Sequence, residues 1–399
     1  MDKTNNTVRF MNDNGDTLSL FVVLNNADGA AQLHEKLHYK LLHSDFNKVT
    51  IGMEATSIYA DHIAAYLKND ELLCKWGCEV HVINAKNIAN FKKSYPELPK
   101  DDYIDTLLIC DYLRLNRIPK SVYRDEKFIA LRNLTRARFQ AAQNLSREKN
   151  RFLNTLFQKF STLDSAKVFS DTFGATSLAA ICEFDTVDEI IYTPIDDLAA
   201  FVNRKGKGKF IDPDAVATAL QAAARSSYRI SRTVNNSLNQ LLAIRLIGIR
   251  SIENQVKDLD KAIVSYMEAF QNVLISIPGI GPVYSAGIMA ETGDVKQYRK
   301  GQASLAKYAG LAWSKYKSGS YEAANTRLIA TGNKYLKYYL LEAANKVRMH
   351  DTEFADYYRV KFREVPKHQH KRALALTARK LVRLVYSLLS DNRLYTPQR

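Results

Sequence analysis

Apolar and polar positions in the first 120 or so residues alternate between two periods. "TLSLFVVL" (17 to 24) is strand-like, and "AAQLHEKLHYKLL" (30 to 42) repeats its apolar positions at helical spacing. "KVTIGMEA" (48 to 55) is a short buried strand running into an acid, followed by an amphipathic helix over "SIYADHIAAYLKN". "CEVHVINA" (78 to 85) is a further apolar strand. Strand, helix and strand joined by short connections predict an α/β layer.

From 125 to about 160 the period becomes helical throughout, without Gly or Pro and with seven Arg or Lys residues between Phe128 and Phe160. A second long stripe comprises Leu238, Leu242, Arg245, Ile249, Ile252, Val256, Leu259, Ile263, Tyr266 and Phe270, alternating steps of four and three. That is the roughly 3.5-residue repeat of a coiled coil, with Arg245 as its polar intruder. It predicts helix–helix association, including association between subunits. "NRKGKGKF" (203 to 210) reads as a mobile basic loop. After 274, "LISIPGIGPVYSAGIMAETGDV" predicts a helix, a tight Gly turn and a helix, and two more helices follow. The expected domains are 1–122 (α/β), 123–272 (helical, coiled coil) and 273–399 (helical).

Charge narrows the function. Lys plus Arg number 57 against 42 acids, a net charge of +15, which favours a polyanionic partner. No apolar run approaches the ~18 residues of a membrane span, and the polar N-terminus lacks a signal-peptide core, so no membrane partner and a cytoplasmic location are expected. Cys74, Cys78, Cys110 and Cys182 show neither a second pair nor a His at zinc-finger spacing and read as reduced, structural thiols.

Four groups could carry chemistry. Glu54 ends an apolar strand, and Asp102 and Asp105 stand one helical turn apart, so three carboxylates could serve a hard divalent cation; Asp101 and Asp111 read as surface. Gly279 and Gly281 in "PGIGP" allow a sharp turn whose free amides could hold a phosphate, or a plain helix–helix turn. Ser318 precedes Gly319 among small and polar residues, with Lys315, Lys317, Arg327 and Lys334 near it in sequence; it is a candidate nucleophile or an ordinary loop serine. In the C-terminal third, Tyr335, Tyr338 and Tyr339 alternate with Lys334 and Lys337, a composition suited to phosphate contacts and base stacking as well as to a core.

Together, "GMEATSIYADHIAAYL", "VINAKNIANFKKS" and "KDDYIDTLLICDYLR" resemble the N-terminal half of the one-ten (eleven-eleven) family of insertion-sequence transposases. "IPGIGPVYSAGIMAETGD", "LAKYAGLAW" and "KSGSYEAANTRLIATGNKYLKYYLLEAAN" resemble its C-terminal transposase domain. The resemblance implies an RNase H-like (RuvC-like) N-terminal domain with a D-E-D-D tetrad holding Mg2+, in which Glu54, Asp102 and Asp105 match the last three acids. It implies a helical C-terminal domain, with a helix-hairpin-helix-like turn, whose catalytic serine matches Ser318. It further implies a DNA recombinase guided by a structured bridge RNA that pairs with donor and target DNA, the serine becoming covalently linked to DNA. A dimer or tetramer is expected, because acids and serine lie more than 200 positions apart. One departure stands out: the family's first acid sits on an opening strand of type "GIDVSK", whereas this sequence reads "MDKTNNTVRF". Lys3 matches the end of that motif and Asp2 falls one or two places from the acid, so either the first strand lies upstream or this copy is degenerate. A metal-only nuclease and a non-catalytic nucleic-acid-binding relative are the alternatives.

Overall fold

An antiparallel hairpin opens the fold, with β1 (Asn5–Met11) against β2 (Thr17–Leu24), Val8 opposite Phe21 and Phe10 opposite Ser19. The apolar spacing missed β1. The available signal was Asn14–Gly15 between the two runs, since Gly15 turns the chain at φ +97°. The computed structural model describes residues 2–55, 59–95, 98–99, 101–116, 126–298, 300–314, 317–318 and 321–322 (backbone), and 327–397. It divides into two units, Met1–Tyr123 and Arg124–Arg399.

In the first unit, α1 (Ala27–Leu42) is capped by Asn26, whose side chain accepts from the Gly29 amide, and it buries Leu33, Leu37 and Leu41. Next come β3 (Thr50–Glu54), α2 (Asp61–Lys68), α3 (Glu71–Lys75) and β4 (Glu79–Ile83). β3 and β4 pair in parallel, Met53 opposite Val82, so this stretch is a strand–helix–strand unit. Val23, Met53, Ile63, Leu67 and Leu73 join the α1 leucines in one core. α4 (Ala85–Lys92) and α5 (Asp102–Arg114) complete the unit, and α5 packs on both β1 and β3. The expected α/β layer is thus mixed in strand direction and, among the described residues, lies in two separate two-stranded sheets.

In the second unit, α6 (Glu126–Lys159) precedes a cluster of α7 (Ala175–Glu183), α8 (Val187–Tyr192), α9 (Ile195–Gly206) and α10 (Pro213–Ser226). The chain returns along α6 in α11 (Arg232–Met267). These two helices are antiparallel: Arg245 meets Glu148, Lys149 meets Glu253 and Arg138 meets Asp260. Each runs through two cores. Phe152 and Leu156 of α6 pack with Leu242, Leu246 and Ile249 of α11 among α7–α10. Leu131 and Ile263 belong instead to the C-terminal core.

Two expectations change here. The α11 stripe is covered by α6 of the same chain, and it drifts: Leu246 and Met267 are buried, while Arg245 is half-buried and Tyr266 is half-exposed. A straight helix at about 3.6 residues per turn slips against a strict 3.5-residue repeat, and this helix meets different partners along its length. The basic "NRKGKGKF" segment is also partly helical, because α9 runs to Gly206 and ends on Lys207 in the left-handed region (φ +52°). Phe210 then folds back so closely that a Cβ on Gly206 would strike its ring at 2.5 Å.

After a 3-10 turn (Val273–Ser276) come α12 (Pro282–Thr292), α13 (Gln302–Tyr308), the short pair β5 (Lys317–Ser318) and β6 (Tyr321–Glu322), then α14 (Lys334–His350), α15 (Thr352–Arg363) and α16 (Gln369–Asp391). The predicted helix before "PGIGP" is only that 3-10 turn. Among the described residues no helix is long and apolar enough to cross a membrane.

Candidate active site

Glu54 stands at the end of β3, and Asp102 and Asp105 occupy the first turn of α5, where the helix dipole favours negative charge. Asp101 is the N-cap of this helix, accepting from the Tyr103 amide at 3.1 Å. Asp111 is not the surface residue expected: it is partly buried, accepts from the Tyr95 hydroxyl at 2.9 Å and pairs with Arg114. Glu54 feels the two aspartates. Burial first, then the charges of Asp105 and Asp102, push the Glu54 carboxyl above its ordinary range.

Asp105 is meanwhile neutralised by Lys92 of α4, whose Nζ lies 3.1 Å from Oδ1 and also donates to the Pro99 carbonyl. Among the described residues no three His, Cys, Asp or Glu are gathered tightly enough to hold an ion. The donor chemistry nevertheless fits a hard divalent cation. All three groups are carboxylates, their mutual repulsion is what a cation relieves, and an ammonium already sits on one of them. Lys92 escaped the sequence reading because no local pattern marks a lysine of α4 as a partner of α5. Asp2 serves the backbone instead, its Oδ1 accepting from the Thr4 and Asn5 amides at 2.6 Å each, which holds its pKa below the ordinary range.

In the second unit, Gly279 is required by packing. Its φ is +89°, and a Cβ there would lie 2.9 Å from the Lys346 carbonyl of α14. Gly281 is the N-cap of α12 and faces open space. The two glycines of one motif therefore differ, one pressed on α14 and one open.

Ser318 lies on β5, opposite Tyr321 of β6 and only three positions before it, which places it at the closed end of a hairpin. Farther down, Trp313 bridges Leu328, the Ser314 amide donates to Arg327 O at 2.9 Å, and the Ile329 amide donates to Ala312 O at 2.9 Å. At the base the Asn333 amide donates to Tyr308 O at 2.7 Å, and Gly310 and Gly332 (φ +69° and +141°) pass so close that a Cβ on Gly332 would meet Gly310 N at 2.5 Å. Arg327 and Lys334 are exposed beside this hairpin, Lys317 lies on β5, and Lys315 falls outside the described residues.

The tyrosines divide. The Tyr335 ring has the Arg136 guanidinium 4.2 Å and the Lys334 ammonium 5.0 Å from its centroid. Tyr338 accepts from Arg138, and Tyr339 is fully buried with its hydroxyl donating to Thr135 O at 2.6 Å. Tyr339 is core. Several cations of the C-terminal helices are in ion pairs, including Lys361 and Arg372 with Glu364 and Lys380 with Glu353. The four cysteines are free, and burial pushes the Cys78 and Cys110 thiols up to about 11.

The structure thus has an α/β unit bearing three candidate carboxylates and a helical unit with a serine on a short hairpin. The DEDD transposase profile of the IS110 family matches residues 1–161, and the profile described as "Transposase IS116/IS110/IS902 family" matches residues 271–359. The chain is 27% identical over 339 residues to the insertion element IS116 uncharacterized 44.8 kDa protein of Streptomyces clavuligerus, covering 82% of this chain and 80% of that protein. It is 25% identical over 330 residues to the insertion element IS900 uncharacterized 42 kDa protein of Mycobacterium paratuberculosis, with the same coverage of each. The chain belongs to the IS116/IS110/IS902 family of transposases. Membership implies an enzyme that cuts and rejoins DNA, and the DEDD domain suggests dependence on a divalent metal.

Proposed function

We propose that this transposase is a recombinase guided by a structured bridge RNA, in which Ser318 attacks the scissile phosphate of donor or target DNA and Glu54, Asp102 and Asp105 hold Mg2+. The observation that carries the reading is the field at Glu54. A half-buried glutamate, whose carboxyl is raised by burial and by two neighbouring aspartates, is a group waiting for positive charge. The hairpin presentation of Ser318 supports the second half, since a residue at the closed end of a ladder can be offered outward on a fixed stem.

In the proposed step the Ser318 oxygen bonds to phosphorus and gives its proton to a base, while one P–O bond to deoxyribose breaks and that oxygen leaves as a hydroxyl. One phosphodiester replaces another, so rejoining needs no outside energy source. The bound ion would polarise the phosphate and stabilise the charge developing on it. Lys315, Lys317, Arg327 and Lys334 would contact phosphates, and the Gly279–Gly281 turn would lie along the backbone. Acids and serine belong to separate units, so a dimer or tetramer could complete each centre from two chains.

The test is a denaturing gel of protein incubated with element-end DNA, the element's flanking transcript and Mg2+. A covalent adduct mapped to Ser318, and lost in Ser318→Ala, is the expected result. Mg2+-dependent cleavage without any adduct would overturn the serine assignment in favour of water activated at the acidic site, and salt-sensitive binding without cleavage would leave a non-catalytic relative.

A further inference from the structure

Glu291, on α12, is fully buried and yet ionised. Burial pushes its carboxyl up, but Arg136, Arg132 and Asn333 outweigh that and hold it below the ordinary range. Arg136 of α6 grips it with both arms of its fork, Nε to Oε1 at 2.6 Å and Nη2 to Oε2 at 3.0 Å. The Asn333 Nδ2 donates to Oε2 at 2.6 Å and lies 2.9 Å from the Tyr308 hydroxyl. Asn333 also caps α14, its Oδ1 accepting from the Tyr335 and Leu336 amides, and its own amide closes the hairpin base on Tyr308 O.

One carboxylate therefore ties α6, α12, the end of α13 and the start of α14 together at the point where the Ser318 hairpin leaves the core. Such an investment of buried charge is costly unless every partner is held, and it fixes geometry better than apolar packing does. We infer that Glu291, acting through Asn333, is a positioning residue that sets the aim of the Ser318 hairpin; the catalytic part of this inference rests on the serine reading above. Loosening the anchor lets the base of the hairpin open, so the cross-strand bonds of the Ser314 and Ile329 amides break more often and the finger loses its aim.

The informative variant is Asn333→Asp, which keeps the helix cap but turns an acceptor towards Glu291. In the full-length protein, hydrogen exchange of the Ser314 and Ile329 amides should rise about 10- to 100-fold, while core amides of α14 and α16 exchange as in the wild type. Strand exchange on element-end DNA with its flanking transcript should slow ~100-fold at unchanged DNA affinity. The double variant Asn333→Asp/Glu291→Gln restores a donor facing an acceptor at this contact, at the expense of the Nη2 arm of Arg136, and should recover both readouts in part. Wild-type exchange of the hairpin amides in Asn333→Asp, equal acceleration of the core amides, or no recovery in the double variant would each overturn the positioning role. Because the amide readout needs no chemistry, it separates this inference from the serine assignment, which fails independently if Ser318→Ala stays active.

Discussion

Arg245 of α11 donates through Nη1 to Glu148 of α6 at 2.8 Å and through Nε to the Thr155 hydroxyl at 3.1 Å. The single polar position of an otherwise apolar stripe is thus matched by a carboxylate on the helix it lies against, and it fixes the register of that pair within one chain. Arg245→Ala should lower stability by about 1–3 kcal/mol in urea unfolding. Leu242→Ala, at a buried position, should cost about 2–5 kcal/mol. Ile244→Ala, 65% exposed, should fall within about 0.5 kcal/mol of the wild type. Equal costs at 242 and 244 would contradict this packing.

Gly279 and Gly281 make a second contrast. Gly279→Ala meets both a positive φ and the backbone of α14, so a loss of about 1–3 kcal/mol is expected. Gly281→Ser adds a capping hydroxyl in open space and should leave stability unchanged or slightly raised. Thermal melts of the two variants check both; a Gly279→Ala protein melting with the wild type would refute the close approach.

Lys159 is buried at the end of α6 and donates to the Ile181 and Phe184 carbonyls at 2.7 and 2.8 Å. Burial lowers its pKa from 10.5 to about 8. The native state therefore binds fewer protons than the unfolded chain between those values. Its contribution is complete above the unfolded value and is lost as pH falls through about 8. The shift corresponds to roughly 3 kcal/mol. Urea unfolding at pH 7.5 and 10.5 should show the wild type gaining on Lys159→Met by that order as pH rises, and parallel pH profiles would rule it out.

Glu54 works in the opposite sense. Its raised pKa means that the folded unit binds more protons than the unfolded chain, so the contribution is present below the ordinary glutamate value and disappears as pH climbs through the raised one. At neutral pH without metal, Glu54→Gln should melt higher than the wild type. Millimolar Mg2+ should raise the wild-type melting temperature and not that of the variant, increasingly so with pH. Equal stabilisation of both proteins would place the ion elsewhere.

Much of the fold was legible because it rests on local periodicity. The runs at 17–24, 30–42, 48–55 and 78–85 hold β2, α1, β3 and β4, and the uninterrupted helical stretch from 125 became α6. β1 was obscured by its polar opening, Asn5-Asn6-Thr7, although Asn14–Gly15 announced the turn. Of the helices α7–α10, α7 and α8 were passed over because they are short, whereas α9 and α10 carry a clear amphipathic pattern that was not used. At the candidate site the acids and the serine were readable as residue types in a family-like order. Lys92 on Asp105 and Arg136 on Glu291 were not, because each partner lies on another element and nothing in either neighbourhood marks the match.

The linear sequence therefore determined which segments coil or extend, the excess of positive charge and the order of the family's motifs, all properties of neighbours along the chain. Only the tertiary structure decided that α11 is covered by α6, that Tyr339 is core while Tyr335 has two cations near its ring, and that a buried glutamate pairs with Arg136 and Asn333. Those outcomes depend on which side chains exclude water together and which charges find a partner once desolvated, and both are settled by contacts between residues far apart in the chain.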